Sequence, residues 1–294
     1  MQKIPRFIAI CAALLCAVSL CLPSPGLAND RPGLKHYLVL GMDYYTVRES
    51  VSARSDVVLL VSLDPGGNRI IFTSILRDCK VTTPGGGENK LNTVHANYGI
   101  AGVKSTVERH LQLEIEGVVM MDFDAIKALI DALGGVELEI SLAEYRWIYS
   151  ILRGDDPNMP TGPGLTHMSG RIALAYMRDR HAGGSDFTRT ANQRKVLAEL
   201  MKKVSALSLP EMLHVYNTVG GMVSTDMDMM QMAAAFQMTY GLRNAQFVEH
   251  RVPADRTFAY GRLRGSSVLN VQWRRNRDLL QELFYPPAEG AAPR

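Results

Sequence analysis

The sequence predicts an α/β domain with a mixed central β-sheet flanked by helices. Short runs rich in Val, Ile and Leu alternate with longer stretches of helical period, which is the pattern of α/β layering. Two early runs, 55–64 and 69–78, are separated only by Pro65-Gly66-Gly67-Asn68, a tight-turn sequence, so part of the sheet is antiparallel. The composition, 47% apolar and 21% charged, is that of an ordinary globular chain and excludes a disordered or collagen-like one.

The chain opens on a basic hexapeptide, 1–6, and an unbroken apolar run, 7–22, followed by Pro23, Pro25 and the small-x-small triplet Gly26-Leu27-Ala28. This is the outline of an export signal, with residues 1–28 either a cleaved signal peptide or a retained membrane signal-anchor. The apolar run is shorter than the ~20 residues of a comfortable membrane span. Either form places the rest outside the cytoplasm, secreted or anchored to the outer face of the membrane. Cys11, Cys16 and Cys21 lie in this run behind Ile10, Leu15 and Leu20, which disfavours lipid attachment. Only Cys79 remains beyond it, so there is no disulfide framework and no cysteine-based metal centre. Residues 29–285 are expected to form one domain, and 286–294 a disordered tail.

Along that domain, 36–43 reads as a buried strand ending at Asp43, the strand 55–64 begins beside Asp56, and 69–78 delivers Arg77-Asp78 at its exit. Beyond Pro84-Gly85-Gly86-Gly87 and Lys90-Leu91-Asn92, a helical pattern covers 99–112. A strand at 117–123, a helix at 124–133 ended by Gly134-Gly135 and a strand at 136–140 follow. Residues 141–165 are expected to be irregular, from Asp155-Asp156-Pro157 and Pro160-Thr161-Gly162-Pro163-Gly164. Ser169 is placed to cap a helix through Tyr176. A polar loop, 178–185, leads into a long helix from about Phe187 to Ala206. Helices are expected at 209–218 and 226–242, the latter opened by Thr225 with Asp228 three residues on. A strand at 246–253, an extended piece near 258–264 and a helix at 267–284 finish the domain. Ordinary core packing is expected for the Met-rich run 222–238, ahead of adaptation to a lipid tail.

Formal net charge is +3, from 32 basic and 29 acidic side chains, and Lys3 and Arg6 lie in the leader. The domain is therefore nearly neutral, which excludes nucleic-acid binding driven by phosphate neutralisation. Serine-hydrolase elbows, His-Glu-x-x-His and Gly-Lys-Ser/Thr phosphate loops are absent from the sequence, and Gly85-Gly86-Gly87 reads as a turn. Asp64, Asp122, Asp124 and Asp131 fit turn, cap or surface positions. The remaining charge gathers at strand exits and loops, where α/β sheets assemble ligand sites. One set is Asp43, Arg54, Asp56, Arg77, Asp78 and Lys90; a second is Arg178, Arg180, Asp186, Arg189 and Gln193. Arg178 and Arg180 point the same way if extended, and Arg189 and Gln193 share a helix face near the end that Asp186 is placed to cap. Arginines converging on a helix amino terminus suit a diphosphate. Solvated surface pairs are the alternative.

These residues lie in segments that resemble the LytR–CpsA–Psr family. LGMD (40–43), SARSD (52–56), SILRD (74–78), KLNTVHANYG (90–99), DALGGVELEI (131–140), LTHMSGRIALAYMRDRH (165–181) and SDFTRTANQ (185–193) occur in the family's order. The resemblance implies a single domain with a deep apolar groove. It also implies an extracytoplasmic phosphotransferase that moves a glycopolymer phosphate, of teichoic acid or capsule type, from a polyprenyl-pyrophosphate carrier to peptidoglycan. It assigns Mg²⁺ to Asp43 and Asp56, and pyrophosphate binding to Arg77, Lys90, Arg178, Arg180, Arg189 and Gln193; Arg54 joins the pyrophosphate candidates from its place in the first charged set. Catalytic roles fall to Arg77, Asp186 and Arg189, with Asp186 orienting an arginine or accepting the acceptor's proton. The chain departs from the family pattern at Leu76, Cys79, Thr188 and Asn192. Hydrolysis of the same pyrophosphate, or carrier binding without chemistry, are the competing functions. Helices 99–112 and 124–133 are the candidates to line the lipid slot.

Overall fold

A computed structural model describes residues 33–42, 54–179 and 186–286 of the chain. The leader, the tail, Asp43 and Arg180 therefore lie outside the described residues, as does the side chain of Asp186.

A six-stranded mixed sheet in the order β10-β3-β2-β1-β6-β9 forms the centre. β1 (Lys35–Met42) and β3 (Arg69–Ile75) run antiparallel to β2 (Ser55–Asp64) between them. β6 (Gly117–Met121) adds in parallel to β1, β10 (Gln246–Val252) in parallel to β3, and the short β9 (Val223–Thr225) closes the edge antiparallel to β6. The turn at 65–68 joins β2 to β3 as the sequence indicates. Asp64 fastens it, accepting from the Gly67 N–H at 2.9 Å and pairing with Arg69 at 2.5 Å. β1, β3, β6 and β10 all end, and β2 begins, at one side of the sheet.

One face of the sheet is covered by α1 (Val94–Leu111) and α8 (Trp273–Phe284), which pack Val103, Val107, Leu280 and Phe284 on Leu38, Leu40, Leu60 and Ile71. The opposite face carries α5 (Asp186–Ala206) and α7 (Met229–Gly241) over Leu59, Val61, Ile70 and Phe72. Beyond α5 a second cluster unites α2 (Phe123–Ala132), α3 (Leu142–Leu152), α4 (Gly170–Met177) and the hairpin β7 (Val136–Ile140)–β8 (Gly164–Met168). α6 (Leu209–Val219) lies against α2, and two small hairpins, β4 (Lys80–Thr82)–β5 (Glu88–Lys90) and β11 (Phe258–Leu263)–β12 (Ser266–Val271), sit outside the main sheet.

Several expectations are corrected. Residues 141–165 are irregular only in part: 153–163 form no helix or strand, as expected, but Ser141 and Glu144 form a capping box that starts α3, and 164–168 pair as β8. Residues 267–271 are strand rather than helix, because Arg264 and Gly265, both at positive φ, turn the chain back and Val268, Leu269 and Val271 favour extended pairing. α7 starts later than expected, capped by Asp228 with Gln231, while Thr225 ends β9. α1 starts earlier, at Val94, and bends at Gly99, whose φ of 63° with ψ of −165° suits only glycine. The Met-rich run is not core: α7 has no fully buried residue, and Met229, Met230 and Met232 are exposed.

The two faces differ in completeness. Along β1 the residues facing α1 are buried, whereas Tyr37 and Val39, facing α5, are only half-buried. Val57, Val119 and Met121 continue this half-covered apolar strip on the neighbouring strands. α1 packs on the other face, so of the two helices expected to line a slot only α2 lies on this side.

Candidate functional site

The strand register produces the first feature of the site. Gly41 pairs with Val57 and Met42 with Ser55, so Asp56 is the extra residue of a β-bulge. Bulges re-aim side chains and are frequent beside functional sites. Gly41 fits because a Cβ there would lie 2.8 Å from Cβ and Cγ2 of Val57. Arg77 follows β3 and donates from Nη1 to Asp56 Oδ1 at 2.6 Å. Arg189, one turn into α5, has Nη1 3.8 Å from Asp56 Oδ2 and donates from Nη2 to the Asp56 carbonyl oxygen at 3.3 Å. Two guanidinium forks thus share one carboxylate. Side-chain exposure is only 15% for Asp56, 18% for Arg77 and 5% for Arg189, so the cluster sits where water screens little.

The segment after β3 is held on every side. The Leu76 N–H donates to Val252 O at 2.8 Å and the Asn92 N–H to Arg77 O at 3.0 Å. Lys90 Nζ donates to Asp78 Oδ1 at 2.9 Å. Lys90 is thus brought beside the cluster through Asp78 rather than through Asp56. The departures from the family pattern have local explanations. Leu76 is buried in the core and uses an N–H that proline lacks, and Cys79 is buried among the same residues. Asn192 turns inward and donates from Nδ2 to Tyr176 O at 3.4 Å. Nothing in the structure explains Thr188.

The other expected residues divide. Gln193 is buried one turn beyond Arg189 on α5, as the i, i+4 spacing indicates. Arg178 is not extended: it is the C-cap of α4, with its guanidinium 4.8 Å from the centroid of Phe123, the first residue of α2. It lies at the same side of the sheet, but among the described residues no ion pair joins it to Asp56. Arg54 is exposed immediately before β2.

Two residues that sequence reasoning missed complete the surroundings. Arg194 is buried, donating from Nε to Glu249 Oε2 at 2.8 Å and from Nη1 to Ser74 Oγ at 3.0 Å, and so ties α5 to β10 and β3. Arg251 stacks over Phe187 at 4.2 Å. The available signal was periodicity: Arg194 lies four residues from buried Thr190, on the helix face that meets the sheet. Tyr176 is fully buried beside Glu144, and burial first, then that carboxylate, raises its hydroxyl pKa well above the ordinary value.

Among the described residues no group of three or more His, Cys, Asp or Glu side chains could hold a metal. Mg²⁺ asks for less when phosphate is present, one or two carboxylates sufficing. The Asp56 oxygens, each engaged by one guanidinium, keep lone pairs for such an ion. The donor set fits an ion held jointly with a substrate phosphate.

Comparison with known proteins bears on the fold and the family. The chain is 28% identical over 210 residues to the polyisoprenyl-teichoic acid–peptidoglycan teichoic acid transferase TagU of Enterococcus faecalis, covering 69% of this chain and 66% of the relative. It is 30% identical over 183 residues to TagV of Bacillus subtilis, a transferase of the same description, covering 58% and 44%. The chain thus spans just under two-thirds of the first relative and less than half of the second. The solved structure of TagT bound to LIIa-WTA matches with a TM-score of 0.70 at 23% identity, over 90% of this chain and 93% of that one. That of YwtF (TagT) with bound octaprenyl pyrophosphate lipid matches with a TM-score of 0.65 at 20% identity, over 90% and 92%. These likenesses establish the fold. With a family model matching residues 29–284, the chain belongs to the LytR_cpsA_psr family.

Proposed function

We propose that this protein is a phosphotransferase that moves a glycopolymer phosphate from a polyprenyl-pyrophosphate carrier to peptidoglycan, outside the cytoplasm. The observation that carries this reading is the bulged Asp56, which gathers Arg77 and Arg189 at the end of the half-covered apolar strip. A polyprenyl pyrophosphate has the matching shape, a dianionic head on a long apolar tail. Val57, next in sequence to Asp56, begins the strip, so head and tail sites adjoin. The strip, deepened by α2 and α5, is the proposed lipid groove.

In the transfer, the phosphorus next to the sugar bonds to the acceptor's hydroxyl oxygen and its bond to the bridging oxygen breaks. The carrier leaves as polyprenyl phosphate, which takes up the hydroxyl proton. Charge spreads over the non-bridging oxygens, and positioned cations supply most of the stabilisation. Arg77 and Arg189 clamp the diphosphate as bidentate forks, and Lys90, Arg178, Arg180, Gln193 and Arg54 are the further candidates to bind it. Mg²⁺, held by Asp56 with Asp43, would neutralise phosphate charge. The role the resemblance leaves to Asp186 is to orient an arginine of the clamp. Residues 1–28 would export the chain or anchor it; among the described residues no helix is long and apolar enough to cross a membrane.

Incubating the purified protein with lipid-linked glycan, Mg²⁺ and peptidoglycan oligomers tests the proposal. A glycan-phosphate-peptidoglycan adduct is expected. Free glycan phosphate instead assigns hydrolysis, and tight binding of the lipid without turnover assigns a carrier-binding module.

A further inference from the structure

The end of the domain carries charge that this site does not use. Residues 256–277 hold Arg256, Arg262, Arg264, Arg274, Arg275 and Arg277 and no aspartate or glutamate, in a chain whose net charge is only +3. All but Arg277 are exposed, and among the described residues none of the six has an ion pair. Arg274 and Arg275 occupy the first turn of α8, where the helix dipole disfavours cations. By contrast, α3 and α6 each place a glutamate in the first turn. Local helix energetics therefore oppose the arginines of α8.

Their placement ties them to the anion site. The β11–β12 hairpin stands on both of its edges: the Leu269 N–H donates to Asp78 O at 2.9 Å, one residue past Arg77. Phe258 packs on Phe187, two residues before Arg189, with ring centroids 6.0 Å apart. From there Phe258, Tyr260 and Arg262 share one face of β11, and Tyr260 is 73% exposed. At the base of the hairpin, Gln272 N–H donates to Thr257 O at 2.8 Å and Ala254 N–H to Asn276 Oδ1 at 2.9 Å, which fixes Arg256 beside the start of α8. Aromatic contacts thus run from the first turn of α5 to solvent, flanked by arginines that lack carboxylate partners.

We propose that this hairpin and the first turn of α8 form a track for the phosphate-bearing glycopolymer of the donor, holding the part of the polymer beyond the diphosphate. This rests on the transferase reading for its ligand. A polymer with phosphate in each repeat matches a run of arginines without carboxylates, and a neutral glycan gains nothing from them. Tyr260 offers a flat apolar ring for a sugar face, and Arg262 and Arg264 pair with repeat phosphates.

The test uses the full chain with two variants in exposed positions, Tyr260→Ala and the double variant R262A/R264A. The probe is a labelled, lipid-free poly(glycerol phosphate) oligomer, with dextran and a peptidoglycan disaccharide-peptide as companions. The wild type is expected to bind the oligomer with an affinity that falls steeply with added salt. Each variant loses about tenfold, and neither companion ligand responds to the substitutions. In transfer assays, KM for a long phosphate-bearing donor rises about tenfold at unchanged kcat, while a donor with one sugar on polyprenyl pyrophosphate reacts normally. Oligomer binding untouched in both variants overturns the track, as does a loss that falls on the peptidoglycan fragment instead. Oligomer binding without transfer from any donor contradicts the transferase reading and leaves the track standing.

Discussion

Arg77 and Arg189 are nearly buried and share the Asp56 carboxylate, whereas Arg262, Arg264 and Arg274 stand in solvent without an ion pair among the described residues. The difference separates two ways of meeting an anion. In the buried cluster, water screens little, so each charge has a large effect and its position must be fixed before substrate arrives. The bulge at Asp56 and the ties on Arg77 supply that fixation. On the hairpin, screening is strong, each arginine contributes little, and attraction depends on their number and on salt. One region suits chemistry on a single diphosphate, the other retention of a long chain.

Substitutions should pull the two regions apart. The largest effect is expected from Arg77→Ala, which removes one fork of the clamp: turnover falls by about 10³-fold or more, with circular dichroism unchanged. Asp56→Asn should match it, since the two guanidinium groups then lose the carboxylate that gathers them. Arg194→Met comes next. It breaks the ties to Glu249 and Ser74, and denaturant titration should show about 2 kcal/mol less unfolding free energy. Because α5 also carries Arg189, kcat should fall more than substrate affinity. The hairpin variants follow, at about tenfold and only with a long donor.

The smallest effect is a pH dependence of stability. The Thr82 N–H donates to His110 Nε2 at 3.2 Å, which requires a neutral ring, and burial lowers the His110 pKa. The unfolded chain takes up this proton near pH 6.5, the folded chain only at lower pH. Stability is therefore complete above about pH 6.5 and declines as pH drops below it, until the folded pKa is passed. His250, lowered by burial and by Arg194 and Arg251, acts in the same direction. Melting curves of His110→Gln should show a shallower acid slope, and an unchanged slope would remove His110 from this account.

Much of this arrangement was legible in the sequence because it rests on local signals. The turn at 65–68, the Ser169 cap and the i, i+4 spacing of Arg189 and Gln193 act over a few residues, and the structure contains all three. The capping box at Ser141 was equally local, but the Pro and Gly residues that follow it drew the segment toward loop. What the sequence did not disclose depends on contacts between distant segments. The bulge at Asp56 exists only once β1 and β2 are in register, and Arg194 is defined by Ser74 and Glu249, which lie on other strands. The Met-rich helix failed for a related reason: hydrophobicity describes a side chain, while burial requires a partner, and α7 packs only lightly on α5. Arg178 was placed by assuming an extended backbone, and a helix C-cap sends its guanidinium over Phe123 instead.

The proposed clamping of one diphosphate by Arg77 and Arg189 is tested most directly by calorimetric titration with a short polyprenyl pyrophosphate and with the corresponding monophosphate, in Mg²⁺. Wild type, Arg77→Lys and Arg189→Lys should be compared, since lysine keeps the charge and loses the fork. The wild type is expected to prefer the diphosphate strongly, and each lysine variant to lose most of that preference while retaining the monophosphate. Equal affinity of the wild type for both lipids, or a preference that survives both substitutions, would contradict the clamp.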